Sequence, residues 1–438
     1  MQVSNFIFFI IFLSSILLFS YNFKKIYRNI NLGRGGVDSN NKKERWKRVI
    51  FIAFGQSKMF DKPFVAILHL IVYLAFILIN IELIEIVIDG LFGTHRIFSF
   101  LGPFYDFLIG SFEILAFLVL ISVIIFLIRR NVIKIKRFMS SEMKGWPTVD
   151  GNLILIFEIL LMLAFLTMNA SDSILQNYFP EKYIDAGYFP VSNLLIIPLI
   201  QNLNPDSLII IERFCWWFHI IGILGFLNYL AVSKHLHILL AFPSTYYSKL
   251  DPRGKFSNMD SVNKEVKLML DPNADNFPQS NEVSPGNFGA KDVRDLTWLQ
   301  LLNSYSCTEC GRCTSECPAN VTGKKLSPRK IMMDVRDRIE EVGYNIDKKG
   351  KDFDDGKSLL NDYIKPEELW ACTSCNACVE ACPINIDPLS IILDLRRYSV
   401  MEESSAPSEL NNVFSNIENN GAPWPFPATD RLNWKEND

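Results

Sequence analysis

The chain has 438 residues, of which 49% are hydrophobic and 21% charged, and its net charge divides into +5 over residues 1–243 and −8 over residues 244–438. Eight of the nine cysteines lie between Cys307 and Cys382. These distributions exclude a single water-soluble globule and a disulfide-stapled secreted domain, and the acidic half has no basic stripe for a nucleic acid.

The first 243 residues are predicted to form a transmembrane domain of five helices. A helix needs about 20 apolar residues to cross a bilayer. The first apolar segment has no positively charged start and no small-residue cleavage site after it, so we interpret it as a retained anchor. The five predicted spans lie near residues 5–22, 63–84, 107–128, 151–170 and 208–233.

Loop charge predicts the orientation of these spans. Residues 23–48 hold nine Lys and Arg and residues 129–150 hold six, whereas the other two connections hold only Arg96 and Lys182. Cytoplasmic loops carry an excess of Lys and Arg. We therefore expect the N-terminus outside and all residues after 234 in the cytoplasm.

Two histidines inside the predicted spans are candidate haem ligands. His69 lies early in the second span and His219 lies in the fifth. The two helices run antiparallel, so the two imidazoles can meet at one depth, as axial ligation of a haem iron requires. The alternative is two unrelated hydrogen-bonded histidines, which is costly in hydrocarbon.

The sequence also contains candidate ligands for a second haem nearer the cytoplasm. On a continuous helix His237 lies roughly 27 Å beyond His219. Since His235 and His237 are two residues apart, they cannot ligate one iron from opposite sides. Met59 is the candidate for the remaining ligand, because it lies about 15 Å before His69 and thioether–imidazole ligation is known for haem.

Carboxylates inside the spans are candidates for proton handling at a quinol site. The alternative for each one is a hydrogen bond within the bundle or near the headgroups. Cys215 is expected to be a small buried hydrophobic residue. The carboxylates concerned are Glu82, Glu85, Glu113, Glu158 and Asp172.

Two cysteine runs carry the strongest signal in the chain. The first cysteine run is Cys307, Cys310, Cys313 and Cys317, and the second cysteine run is Cys372, Cys375, Cys378 and Cys382. Each has the C-x2-C-x2-C-x3-C-P spacing that binds a [4Fe–4S] cluster, in which the fourth cysteine ligates the other cluster. We therefore expect one cluster on Cys307, Cys310, Cys313 and Cys382 and another on Cys372, Cys375, Cys378 and Cys317. Zinc sites, the alternative, use two cysteine pairs across a longer spacer.

The sequence around these runs predicts helices. Ser327-Pro328 is a typical helix start, and apolar residues at helical spacing follow it. We expect an α-helical ferredoxin domain over residues 293–402, an extended linker over 244–292 and a polar tail over 403–438. The tail contains PWPFPATDRLNW, which is either a docking strip or a segment packed on the ferredoxin domain.

This order of features resembles the heterodisulfide reductase-related membrane iron–sulfur proteins. The membrane half is similar to nitrate reductase gamma-type haem b subunits. The cytoplasmic half is similar to heterodisulfide reductase C-subunits and to the iron–sulfur subunit of anaerobic glycerol-3-phosphate dehydrogenase. Carried over from the gamma family, His69 and His219 match one haem pair and His237 matches a ligand of the second haem. Met59 stands at the position of the fourth histidine, so this chain departs from the bis-histidine pattern at the second haem.

The resemblance implies a membrane-bound electron-transfer subunit of a quinone-linked oxidoreductase in a bacterial-type inner membrane. Electrons would pass between quinone and haem b, two [4Fe–4S] clusters and a soluble partner. Longer relatives carry Cys-Cys-Gly modules, whereas this sequence has no adjacent cysteine pair. We therefore expect the catalytic module on a separate soluble iron–sulfur subunit. The alternatives are a membrane-tethered redox sensor or scaffold without haem, and a zinc-stabilised interaction protein.

Overall fold

The structure is a computed structural model, and it describes residues 3–35, 40–252, 254–270 and 288–435. Within these residues the chain forms helices and no named strand, so the predicted all-α class is confirmed. The described residues form eighteen α-helices. The first nine are α1 Val3–Ile30, α2 Lys42–Arg48, α3 Pro63–Phe92, α4 Pro103–Asn131, α5 Trp146–Tyr178, α6 Pro190–Leu195, α7 Ile197–Ile200, α8 Pro205–Tyr229 and α9 His237–Tyr247. The others are α10 Asp260–Leu270, α11 Trp298–Ser306, α12 Arg312–Ser315, α13 Pro318–Val321, α14 Pro328–Lys349, α15 Pro366–Trp370, α16 Ala377–Ala381, α17 Pro388–Met401 and α18 Ser408–Asn420.

Five of these helices are long and apolar enough to cross a membrane, so the chain is a membrane protein. They are α1, α3, α4, α5 and α8, the last extended by a short 3-10 turn to Val232. Each is longer than the apolar segment that predicted it, because polar residues continue the helix beyond the hydrocarbon. Pro63, Pro103 and Pro205 each occupy the first turn of a helix, where a missing backbone N–H costs nothing.

The five spanning helices pack as a closed ring. In order around the ring they are α1, α3, α4, α5 and α8, and α8 packs back against α1. The side chains of Ala75, Phe112, Phe165 and Cys215, each from a different helix, share one buried core. Cys215 is 7% exposed, which agrees with its expected role as a buried hydrophobic residue.

Helices α11 to α17 form a second unit, called here the cysteine domain, that shares its core with the bundle. Ile26 and Ile30 at the end of α1 and Leu240 of α9 are buried in the same cluster as Leu301 and Ile331. The backbones approach closely at two glycines. A Cβ on Gly33 would lie 2.6 Å from the backbone nitrogen of Trp298, and one on Gly343 would lie 2.5 Å from Asn29.

The segment predicted to be an extended linker contains helical structure. Helix α9 continues to Tyr247, and α10 covers Asp260–Leu270. Residues 271–287 lie outside the described part of the chain. In the tail, α18 has no buried residue, and Trp424, Phe426 and Trp434 are exposed.

Candidate functional site

The two cysteine runs have the same backbone geometry. In the first run Glu309 and Gly311 have positive φ, and in the second run Ser374 and Asn376, at the matching positions, have it too. Each loop therefore turns tightly around its second cysteine before a short helix, α12 or α16, that carries the third cysteine. Glycine and asparagine adopt this left-handed conformation at least cost.

The folding of the domain brings the cysteines together across the two runs. Helices α12 and α16 pack against each other. Cys313 interacts electrostatically with Cys310, Cys307 and Cys382 and, most weakly, with Cys378 of the second run. Cys382 therefore lies beside the first three cysteines of the other run.

The second group is arranged in the complementary way. Cys372 and Cys378 both interact electrostatically with Cys317. Cys317, Cys372, Cys375 and Cys378 line one small pocket. The fourth cysteine of each run thus lies with the first three cysteines of the other.

These thiols suit ligation by iron. Burial raises the pKa of the Cys307 thiol to about 12 and that of the Cys382 thiol to about 11. An unligated thiol here would be protonated, and iron binding supplies the positive charge that a thiolate needs. The amide of Ile386 donates to Cys382 Sγ at 3.2 Å and that of Ser374 to Cys372 Sγ at 3.4 Å. Such bonds tune the potential of an iron–sulfur cluster. Among the described residues, no three His, Cys, Asp or Glu side chains converge on one single-ion site.

The first three cysteines face the membrane bundle. Arg312, between Cys310 and Cys313, donates to the carbonyl of Lys58 at 3.1 Å. The amine of Lys58 donates to Asn385 Oδ1 at 3.0 Å, three residues after Cys382. In the described part of the chain, Cys375 is the one exposed cysteine. The group with Cys382 therefore lies against the bundle, and the group with Cys375 reaches the surface.

A buried ion pair joins the bundle to the first cysteine run. The carboxylate of Glu309 lies 2.6 Å from Lys234 Nζ and 2.6 Å from a guanidinium nitrogen of Arg336. Burial opposes ionisation of Glu309, but these two cations lower its pKa below the ordinary value. The basic loop 129–150 makes a second link, since Arg329 lies 2.7 Å from Glu142. Neither contact was predictable from a local sequence pattern, because the paired residues are 75 and 187 positions apart in the chain.

The candidate haem ligands lie at two depths. His219 is 4% exposed and its Nδ1 donates to the carbonyl of Leu161 at 3.2 Å. His237 Nδ1 likewise donates to the carbonyl of Lys234 at 3.1 Å. In each imidazole the proton is on Nδ1, so Nε2 carries the lone pair, as in metal-ligating histidines. Both residues therefore fit a haem iron.

His69 lies near His235 and His237, at the end of the bundle that contacts the cysteine domain. It interacts electrostatically with His237, His235 and Arg312, and its Nδ1 is 3.0 Å from Gln56 Oε1. His69 lies on α3 and His219 on α8, and these two helices are not neighbours in the ring.

Met59 lies in a 3-10 turn at the same end of the bundle as His237. The preceding segment packs on α9, where the rings of Phe54 and Phe242 are 4.8 Å apart. The chain does not continue straight from His219 to His237. Ser233 has an extended backbone between two 3-10 turns, so the continuous-helix distance does not apply.

Comparisons with known proteins agree with this site. Residues 306–386 match the family model described as "4Fe-4S dicluster domain". The chain is 28% identical to the probable iron-sulfur-binding oxidoreductase FadF of Bacillus subtilis, over 98% of this chain and 60% of the relative. It is 25% identical to the EtfAB:quinone oxidoreductase of Syntrophomonas wolfei, over 97% and 59%. A part of the chain is 35% identical to one subunit of the ferredoxin/F(420)H(2)-dependent CoB-CoM heterodisulfide reductase of Methanosarcina acetivorans, over 26% of this chain and 56% of the relative.

These matches confirm the resemblance to heterodisulfide reductase-related iron–sulfur proteins. They indicate an iron–sulfur protein of the electron-transfer oxidoreductases. The chain spans about 60% of the length of the first two relatives. No solved structure matches it.

Proposed function

We propose that this chain is a membrane-bound electron-transfer subunit of a quinone-linked oxidoreductase. One observation carries the proposal. The cysteine group that includes Cys382 lies against the histidine-bearing end of the bundle, while the group that includes Cys375 reaches the surface. Such an order provides a path between a membrane carrier and a soluble partner.

The proposed iron–sulfur ligands are the two cysteine groups. Cys307, Cys310, Cys313 and Cys382 hold a [4Fe–4S] cluster near the membrane, and Cys372, Cys375, Cys378 and Cys317 hold another near the surface. The electrostatic neighbours of Cys313 and the pocket lined by Cys317 support this assignment. When bound, the two clusters supply one-electron carriers.

The proposed haem b ligands are His69 and His219, with His237 and Met59 for a second haem. The hydrogen bonds at Nδ1 of His219 and His237 support metal ligation by Nε2. The electrostatic contact of His69 with His237 favours a second arrangement, in which these two residues share one haem.

The proposed orientation places the N-terminus outside and the cysteine domain in the cytoplasm of a bacterial-type inner membrane. Lys25 lies 3.0 Å from Asp347, and Arg329 lies 2.7 Å from Glu142. The cysteine domain therefore contacts both basic connections of the bundle, which supports the orientation that the positive-inside rule predicts.

The proposed partners are a membrane quinone and a soluble redox protein. The name of one relative, EtfAB:quinone oxidoreductase, supports EtfAB as the soluble carrier. The heterodisulfide reductase relatives support a complex with other subunits. We propose that one of these is an iron–sulfur protein that carries Cys-Cys-Gly modules. The exposed side chains of Trp424, Phe426 and Trp434 are the proposed docking strip.

Spectroscopy of the purified full chain tests this proposal. We expect about eight iron atoms in clusters per chain, and b-type absorption bands on reduction with a quinol analogue. Iron without haem bands would favour the alternative of a membrane-tethered redox sensor or scaffold. Zinc in place of iron would overturn both.

A further inference from the structure

A network of buried polar side chains occupies the end of the bundle away from the cysteine domain, called here the distal end. The Nε atom of Arg96 donates to Asp172 Oδ2 at 3.0 Å, and its Nη1 donates to the hydroxyl of Tyr105 at 3.2 Å. That hydroxyl donates to Glu85 Oε2 at 2.7 Å. Helices α3, α4 and α5 and the loop after α3 therefore meet in one hydrogen-bonded network.

Glu82 adds a carboxyl group on the inner side of this network. It is 4% exposed and interacts electrostatically with Arg96, Glu85, Glu113 and Asp172. Glu113 itself accepts from the backbone nitrogens of Val191, at 2.9 Å, and Ser192, at 3.1 Å. A further charged pair at this end is Glu212 with Arg213. Two guanidinium groups thus face five buried carboxyl groups.

Two side chains of the network lack the partners that burial requires. Asn169 is fully buried, and neither its amide nitrogen nor its oxygen has a hydrogen-bond partner in the described residues. Glu82 Oε2 also has none there. An unpaired polar group in hydrocarbon costs several kcal/mol, and buried water commonly satisfies such groups. Asn169 lies one turn before Asp172 on α5, so water bound to its amide would adjoin the carboxylate.

Further side chains lie between this network and His219 on one side, and between the network and the distal surface on the other. On the inner side, Phe165 lies one turn before Asn169 on α5, and its ring is 5.8 Å from that of His219. On the outer side, His95 Nε2 lies 3.7 Å from Asp172 Oδ1, and the His95 side chain is 29% exposed. The polar groups thus reach from the neighbourhood of a proposed haem ligand to the distal surface.

We propose that Glu82, Asn169, Asp172 and His95 form a hydrated proton route between the interior of the bundle and the distal surface. Glu82, Asp172 and His95 exchange protons through water held by Asn169. Glu85, Tyr105 and Arg96 position these groups. This inference rests on the proposed function, in which a quinone is the membrane reactant.

The route accounts for the protons of the quinone reaction. Oxidation of one quinol to quinone releases two electrons and two protons, and reduction takes up the same number. The electrons pass to or from the one-electron carriers of the proposed function. The two protons leave or enter through Glu82, so proton exchange occurs at the distal surface.

The test uses the full chain in proteoliposomes with Glu82→Gln, and Glu158→Gln as the matched control. Glu158, also a candidate from the sequence, is a mid-span carboxyl group on α5 that the structure leaves outside this network. Burial removes it from water, and no charged neighbour acts on it in the described residues. A quinol reduces the protein, and a pH indicator follows proton release on the distal side. We expect Glu82→Gln to slow release on the order of 10²-fold, as for loss of a positioned proton-transfer group, and Glu158→Gln to leave it unchanged.

A second variant and a second readout keep the test independent of turnover. Asn169→Leu removes an amide without a protein partner in the described residues, so it should slow proton release without lowering the unfolding temperature. A fall in that temperature would show a structural role and overturn the assignment of Asn169. Infrared difference spectra after reduction with dithionite should contain a carboxyl band that Glu82→Gln removes and Glu158→Gln retains.

The outcomes separate the two proposals. If quinol fails to reduce the wild-type protein, the proposed function is wrong, whereas the infrared band still reports on Glu82. If quinol reduces the wild-type protein but Glu82→Gln behaves like Glu158→Gln, the proton route is overturned.

Discussion

Lys234 and Glu309 form an ion pair with 2.6 Å between the amine and a carboxylate oxygen, and their side chains are only 9% and 3% exposed. Lys234 lies just after the last spanning helix, and Glu309 lies between the first two cysteines of the first cysteine run. The pair therefore ties the membrane bundle to the loop that is proposed to hold iron. Burial makes this contact a strong constraint, because neither charge is well solvated alone.

Replacement of Lys234 by Met is expected to destabilise the contact between bundle and cysteine domain. Removing one partner of a buried pair costs about 3–5 kcal/mol, and Arg336 will offset part of that cost. The measurement is the unfolding temperature of the purified protein in detergent. Lys255→Met is the control, since its pair with Asp251 is exposed to solvent and contributes little to stability. Equal effects of the two variants would contradict the prediction.

Replacement of the fourth cysteine of either run by serine is expected to perturb the cluster whose other three ligands lie in the other run. Cys382→Ser should perturb the cluster on the first cysteine run, and Cys317→Ser the cluster on the second. Electron paramagnetic resonance of the reduced protein distinguishes the two signals, and iron analysis should fall from about eight towards about four atoms per chain in each case. If each serine variant altered the signal of its own run, the crossed assignment would be wrong.

Histidine variants should separate the two haem arrangements. Replacement of His69 by Ala is expected to remove a b-type haem in either arrangement. His219→Ala removes that haem if His219 is its second ligand, and His237→Ala removes it if His237 is. Reduced-minus-oxidised absorption spectra provide the measurement. His95→Ala is the control, because His95 lies at the distal end and should leave the spectrum intact.

Oxidants should attack the two clusters in a fixed order. Cys375 is exposed, whereas Cys307 is buried at the contact with the bundle. We therefore expect ferricyanide to destroy the signal of the second cysteine run first, with loss of about four iron atoms before the remainder. The time courses of iron release and of the two resonance signals test this order. Simultaneous loss of both signals would contradict it.

Much of the fold was predictable from periodic patterns in the sequence. Apolar segments near 63–84 and 151–170 predicted two of the spanning helices, and Ser327-Pro328 predicted the start of α14, where Ser327 accepts from the backbone nitrogen of Lys330. These features depend on local physics. A helix needs its own apolar length and its own capping residue, and neither requires knowledge of a distant contact.

The contacts between distant segments were not predictable in the same way. The sequence places Arg96 on a loop, but the structure buries it against Asp172, 76 residues away. The distance from His219 to His237 was calculated along a continuous helix, whereas Ser233 breaks that helix with an extended backbone. The side chain of Ser233 accepts from the backbone nitrogen of His235, and a serine before a new helical turn is the local signal for this break.

The shared core at Ile26, Ile30 and Leu240 has a consequence for turnover. A domain that swings between donor and acceptor must separate from its anchor, and here separation would expose apolar side chains of both units. The surface beside Cys375 is thus stationary relative to the lipid bilayer. In the proposed function, a soluble redox protein reaches this fixed surface by diffusion. Its concentration and the ionic strength, rather than a domain motion, should therefore govern the rate of electron exchange.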